Sequence, residues 1–570
     1  MRSAAAPVAT GAGGVMSRFR RIINGLRAPE TLDLLLVAGL VVVVLAPLLG
    51  GGWTETHEKD SYLLRVFALD QALADGQRSI RWMPLMSQGY GYPFFNFYAP
   101  LVFVVAEAFH LLGLAITASL VATVAMATLA SGACMYLLVR DVWGRGAGIV
   151  AAAAYVLAPY HILNLYWRGA IAEYVAGALF PVILLALRRF LVRGRPAALV
   201  AAGLSYAALL FTHNVSALLF TGLLAGYVAV EAAARRPGLA RFGAAAGAML
   251  AGLAIGAAFW VPAFFERDLV QIGRALTDWF DYHQHFVAPA TLVASVGDLS
   301  EAGRGVGVFV LAGTVLAPFL AFGRWRDGRA LFAFMAIAGA LAAFAVSPQS
   351  AWLWDRLPLL HFLQFPWRLL MIVSLCGAVA SAAAVQALPG GGEAWRRLAP
   401  YGVVLLVVLL DAWFLGIYRH ADVDEGRLTA AHFLAETETT TFGEFTPVGV
   451  AHDPARRARD AAVAAGDAEV RSEERRGLRI AADVTARGEA TVRLSHFWFP
   501  GWRVLVDGEE AEAAPDDGGL ITVRVPAGDH RVETAWVGTP VERAADWMSA
   551  AGIVALAALA FAWRRWGRSG

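Results

Sequence analysis

Charged residues make up only 16% of this 570-residue chain, so the few ionisable groups outside its Arg-rich breaks stand out. His57, Glu58 and Asp60 lie together in a segment, 51–101, that begins polar and turns aromatic. A carboxylate there can act as general base on a hydroxyl, or anchor a divalent cation such as magnesium or manganese against a phosphate. Asp60 is the first candidate for either task, with Glu58 and His57 as neighbours able to share it. Arg168 and Glu173 flank the sequence GAIA; their spacing excludes an ion pair along one helical face. Arg168 suits a phosphate, and Glu173 a sugar hydroxyl or the orientation of Arg168. His213, beside Asn214 at another helix end, reads equally as a ligand or as a structural hydrogen-bond partner. The run QFPWR, 364–368, places Gln364 just before a Pro366 helix start and Arg368 in the first turn. A cation is misplaced at a helix N-terminus unless an anion is bound there. Tyr90 to Tyr98 offer ring faces to lipid or sugar. Asp411, inside an apolar run, is a secondary candidate. Each cation also reads as a boundary residue snorkelling to water, and the 51–101 segment as a solvated loop with an interfacial belt. Walker loops, zinc spacings and nucleophile elbows are absent from the sequence.

The elements that must position these residues follow from composition. Hydrophobic residues make up 58% of the chain and the mean hydropathy is +0.56, which a soluble protein of this size could not carry. The net charge of +2 gives no reason to expect nucleic acid as a partner. Cys134 and Cys376 both fall in apolar runs, so no disulfide framework is expected. Leu32 to Gly50 reads as a first spanning helix entering from a basic, cytoplasmic residue 1–30 segment. If Tyr98 to Leu114 lies along the outer surface, all later short Arg-rich loops fall on one side. Segments near 117–139, 172–190, 215–233, 306–322, 367–388 and 546–563 then run inward. Those near 146–163, 196–212, 242–263, 329–346 and 400–417 run outward. The fold class predicted is a polytopic α-helical membrane protein of about twelve spans plus a juxtamembrane helix, both termini inside.

Apart from Asp411, the candidate residues collect in the outer loops, the first of which is 51–116. The transmembrane domain is expected over 31–417 and an outer connecting region, helical or irregular, over 418–475. LRIAADV, ATVRLSHF, WRVLVDG, LITVRVP and HRVETAWV alternate as strands, with DG, DDGG and PAGD as turn signals. They predict an outer β-sandwich over 476–543, tethered by a last helix and inner tail over 544–570.

The order of a first helix, an acidic outer loop, GYGYPFFNFYAPL (89–101), WRGAIAEY, THN and QFPWR resembles the GT-C superfamily of polyprenyl-phosphate-dependent membrane glycosyltransferases. Within it the chain is most similar to the bacterial 6-pyruvoyl-tetrahydropterin-synthase-related membrane proteins. EFTP (444–447) resembles a motif seen before that group's β-domain, and FWFPGWRVLVDG with VPAGDHRVE resembles the C-terminal domain of YfhO-type proteins. The resemblance implies a GT-C-like fold and a first-loop Asp or Glu as base or metal anchor, which falls on Asp60.

Together these readings predict an inverting glycosyltransferase of the bacterial inner membrane. It would move a sugar from a polyprenyl-phosphate donor to an envelope glycan, lipid or protein on the outer side. Asp60 would be the base or metal anchor, Arg168 and Arg368 would neutralise the departing phosphate, and Glu173 and His213 would position sugar or head group. A flippase of lipid-linked sugars would instead show paired repeats and ionisable groups deep in several helices. A non-catalytic scaffold binding envelope glycans would tolerate loss of the first-loop carboxylates.

Overall fold

Long runs of Leu, Val and Ala satisfy their own backbone as helices, and the Arg-rich breaks between them set the ends. The computed structural model of the chain describes residues 29–51, 53–276, 278–293, 304, 305, 307, 310, 328–386, 393–411, 415, 418, 420, 421, 423–434, 443–450 and 457–566. Among the described residues, eight helices are long and apolar enough to cross a membrane: Glu30–Leu49, Ile116–Trp143, Arg145–Arg168, Ile171–Arg193, Asn214–Arg235, Arg329–Val346, Pro366–Ala383 and Pro540–Arg565. A ninth arises if Leu239–Ile255 and Ala257–Phe265, bent by 62°, form one span.

That is fewer than the sequence predicts, for three reasons. Pro196–Thr212 is apolar but short. Glu393–Asp411 carries Glu393, Arg396, Arg397 and Asp411 within 19 residues. The expected span 306–322 lies outside the described residues apart from isolated positions, as do residues 1–28, most of the 435–456 stretch and the tail beyond 566. Leu101–Leu111 is a separate helix of 11 residues. At 1.5 Å per residue it reaches about 16 Å, well short of a bilayer core.

The C-terminal β region differs from expectation at its start. Strands Ala461–Ala465 and Ala468–Arg476 fall where a helical or irregular connection was expected. Their Ala, Glu and Arg content favours helix only weakly, and pairing overrides it. Gly466, at φ 90°, turns between them, where a Cβ would collide with the Glu489 carbonyl. One antiparallel sheet runs Ala461–Ala465, Ala490–Phe497, Leu520–Val525, Ala513–Pro515; the other runs Ala468–Arg476, Arg479–Ala486, Gly528–Trp536, Trp502–Val506, Glu509–Ala511. A fragment 457–540 should therefore melt cooperatively, whereas 476–540, stripped of a strand from each sheet, should give a disordered or aggregated circular dichroism signal.

The β region is clamped to the first outer loop. Trp82, fully buried, meets Trp502 at 5.2 Å and Trp536 at 5.1 Å between ring centres. The Arg457 guanidinium donates to the Gly89 carbonyl at 2.9 Å. A second clamp joins the loop to the last helix: Arg81 pairs with Asp546, and the Asn96 amide donates to Glu542. Thr539, just before that helix, donates to Glu266 at the end of the bent pair.

Candidate active site

Two chain breaks build the site. Helix Arg145–Val156 stops before Pro159, and the chain continues through a short helix Pro159–Leu163 into a wide turn Asn164–Arg168. Gly169, at φ 70°, ends that turn, and a new helix starts at Ile171. A Cβ on Gly169 would strike Thr56 of the first outer loop. This close approach lets the His57 N–H reach the Trp167 carbonyl at 3.3 Å and the Glu58 N–H the Arg168 carbonyl at 3.2 Å. Glu58 then stands at the start of helix Lys59–Ala74, facing inward.

The result is a cavity of about 780 Å³. His57, Glu58, Tyr98, Arg168, Glu173, His213, Gln364 and Arg368 all line it, so eight of the eleven residues singled out from sequence meet at one place. Asp60 and Tyr90 do not. Asp60 sits in the first turn of its helix on the exposed side, away from the lining. Tyr90 stacks on Phe497 of the β region, 5.2 Å between centres, and serves the joint. Asp411 is buried but also off the lining.

The two carboxylates of the cavity have opposite circumstances. Glu173, 1% exposed, accepts hydrogen bonds from Tyr160, from Asn164 at 3.4 Å and from Arg168 at 2.8 Å. The Arg368 Nε lies 3.5 Å from the same carboxylate. Arg168 and Glu173 thus pair despite their spacing, because the Gly169 break puts them on different helices. Glu173 also supplies part of the negative charge that Arg368 requires at its helix start. Two guanidiniums share one carboxylate, leaving a net positive charge ready for an anion.

Glu58 is the other case. Among the described residues its carboxylate accepts no hydrogen bond, and its nearest cation, Arg65, is 3.9 Å away. Burial raises its pKa above the ordinary carboxylate range, opposed by the charges of Arg65, Arg168 and Arg368. Arg65 itself is buried against the rings of Tyr98 and Phe94, 4.7 and 5.0 Å from their centres. His57 lies edge-on to Trp167, its pKa lowered by burial and by Arg168. His213 caps helix Asn214–Arg235 through Ser216, and burial pushes its pKa down to about 3, so its ring is neutral. Its structural and lining roles coexist.

Sequence reasoning missed Tyr160, Asn164, Arg65 and Tyr62, whose hydroxyl accepts from the Ala172 N–H at 2.9 Å and meets the Tyr98 hydroxyl at 3.1 Å. The Pro159 break inside an apolar run was the available signal for Tyr160 and Asn164. Arg304 also lines the cavity, 5.5 Å from the Trp367 ring centre. As for a cation, no three His, Cys, Asp or Glu side chains gather to hold a metal ion among the described residues. Asp60, the carboxylate expected to anchor a cation, is exposed and off the cavity lining.

The family described as 6-pyruvoyl-tetrahydropterin synthase related domain, membrane protein, matches residues 95–415, more than half of the chain. The chain belongs to this family. In this 6-pyruvoyl-tetrahydropterin synthase related membrane protein the matched part holds Arg168, Glu173, His213 and Arg368, while Glu58 precedes it and the β sheets follow it. No curated protein matches its sequence. Among solved structures it is similar to the arabinofuranosyltransferase AftD from Mycobacteria, at 18% identity and TM-score 0.46, covering 68% of this chain and 27% of that one. It is similar to ArnT from Cupriavidus metallidurans bound to undecaprenyl phosphate, at 13% identity and TM-score 0.38, covering 72% and 78%. It is also similar to the archaeal oligosaccharyltransferase AglB from Archaeoglobus fulgidus in complex with an inhibitory peptide and a dolichol-phosphate, at 15% identity and TM-score 0.40, covering 73% and 61%. The chain thus spans about a quarter of the length of AftD.

Proposed function

We propose that the protein is an inverting glycosyltransferase that takes a sugar from a polyprenyl-phosphate carrier. The observation that carries this reading is one cavity lined by an unspent carboxylate, Glu58, and by two guanidiniums, buried Arg368 and half-buried Arg168, that share one carboxylate. In the reaction proposed, Glu58 takes the proton of an acceptor hydroxyl as its oxygen bonds to the anomeric carbon. The bond from that carbon to the phosphate oxygen breaks with inversion, and polyprenyl phosphate leaves with the electron pair. Arg168 and Arg368 hold the phosphate charge as it develops. His57, Tyr98 and Gln364 line the path of sugar and head group, and Glu173 keeps both arginines in place.

In this reading the chain spans the bacterial inner membrane about twelve times with both termini inside, so the cavity opens on the outer side. The acceptor is an envelope glycan, lipid or protein, and the β sheets stand over the cavity as a sandwich. The burden of charge at the outer helix ends, with the Arg-rich loops opposite, supports that orientation. The test is mass spectrometry of envelope lipids with and without the chain. Loss of the chain should leave one glycan short of a sugar and make a polyprenyl-phosphate-linked sugar accumulate. An unchanged lipid profile and unchanged glycans would reject the transferase reading.

A further inference from the structure

Gln364 has a backbone that an ordinary side chain avoids. Its φ of 61° lies in the left-handed region, where glycine is the easier choice. The turn that forces this is short: the Leu363 N–H bonds the Leu360 carbonyl at 2.9 Å and the Gln364 N–H the His361 carbonyl at 3.0 Å, just before Pro366. The cost of that backbone directs attention to what the glutamine side chain does.

That side chain works in both directions. Its Nε2 donates to the Ala275 carbonyl at 2.6 Å, and its Oε1 accepts from the Arg368 Nη1 at 2.9 Å. The partners fix the amide orientation, because a carbonyl can only accept and a guanidinium can only donate. The same Arg368 nitrogen also donates to the Leu363 carbonyl at 2.9 Å. Arg368 is 9% exposed, and among the described residues its Nε has no hydrogen-bond partner, the Glu173 oxygen lying at 3.5 Å. One edge of the guanidinium is therefore tied down by neutral oxygens while its charge is left uncancelled on that side.

We infer that Gln364 is a positioning residue, which fixes Arg368 toward a bound phosphate without neutralising it. The inference rests on the anion-binding half of the proposed function. A glutamate in its place would hold Arg368 as firmly but would compete with the phosphate for its charge. It would also set a carboxylate against the Ala275 carbonyl. A glycine would ease the backbone and lose the tether.

The experiment measures binding of radiolabelled undecaprenyl monophosphate to the full-length protein in phosphatidylcholine nanodiscs, with melting curves alongside. Gln364→Gly should bind about tenfold more weakly than wild type, the scale of one lost hydrogen bond to a charged group. Gln364→Glu should bind more weakly still. A purely structural role predicts the opposite order, since glutamate is nearly isosteric with glutamine and glycine is not; that order, or wild-type affinity in both variants, overturns the inference. Arg368→Gln separates the two levels. If Arg368→Gln loses affinity while both Gln364 variants keep it, the inference alone fails. If Arg368→Gln binds as wild type, the anion site itself fails and the inference with it.

Discussion

Glu58→Gln is expected to cut turnover by about two to four orders of magnitude while leaving donor affinity nearly unchanged. Asp60→Asn, two residues further on, should leave turnover within about twofold of wild type, the size of effect a surface change has. The contrast follows from placement: Glu58 lines the cavity with no hydrogen bond to its carboxylate among the described residues, and Asp60 faces outward. The pH dependence has a definite sign. A base works deprotonated, and burial holds the Glu58 pKa above its ordinary value. Turnover should therefore fall as pH drops through that raised value, and the acid limb should vanish in the residual activity of Glu58→Gln. Turnover of purified protein on a polyprenyl-monophosphate-linked sugar checks both. Full loss in Asp60→Asn with a tolerant Glu58→Gln would return the base to Asp60.

The second large effect is expected at Glu173. Glu173→Ala leaves buried Arg368 and half-buried Arg168 without the carboxylate they share. Breaking a buried pair from one side costs about 3–5 kcal/mol, so the variant should melt well below wild type or fail to accumulate. Glu173→Gln is the more informative change. It keeps the shape and part of the hydrogen bonding with Tyr160 and Asn164 but removes the charge. Its melting temperature should fall while its affinity for undecaprenyl monophosphate stays equal or rises, because the cavity then carries more positive charge. If stability and phosphate affinity fall together, the placing of Arg168 and Arg368 by Glu173 outweighs the charge it cancels.

Much of the architecture was readable because hydropathy and arginine placement are local signals. The spans expected at 117–139, 172–190 and 329–346 recur as helices Ile116–Trp143, Ile171–Arg193 and Arg329–Val346. The odd placement of Arg368 at a helix start pointed to a counter-charge, part of which is Glu173. What was not readable depends on geometry at chain breaks. Two positions along a helix rotate a side chain by about 200°, so Glu58 and Asp60 cannot both face the cavity, and nothing in their identities says which one does. The spacing of Arg168 and Glu173 excluded only an ion pair along one helical face and left open that Glu173 orients Arg168; the pair forms across the Gly169 break. The strands at 461–476 were hidden by a helix-favouring composition that their partners override.

The clamp between the first outer loop and the last helix has a consequence for how the molecule comes into being. Arg81 meets Asp546 across 465 positions of sequence, and Asn96 meets Glu542 across 446. A ribosome delivers these partners at opposite ends of its work. While the intervening helices enter the bilayer, Trp82 has no Trp502 or Trp536 to rest on, and the outer wall of the cavity has nothing to lean against. The site is therefore expected to mature only after the final helix is inserted, with the nascent chain more open to proteases and chaperones until then. A chain stopped short of the last helix should lack the phosphate affinity of the full protein even though every residue that lines its cavity has already been made.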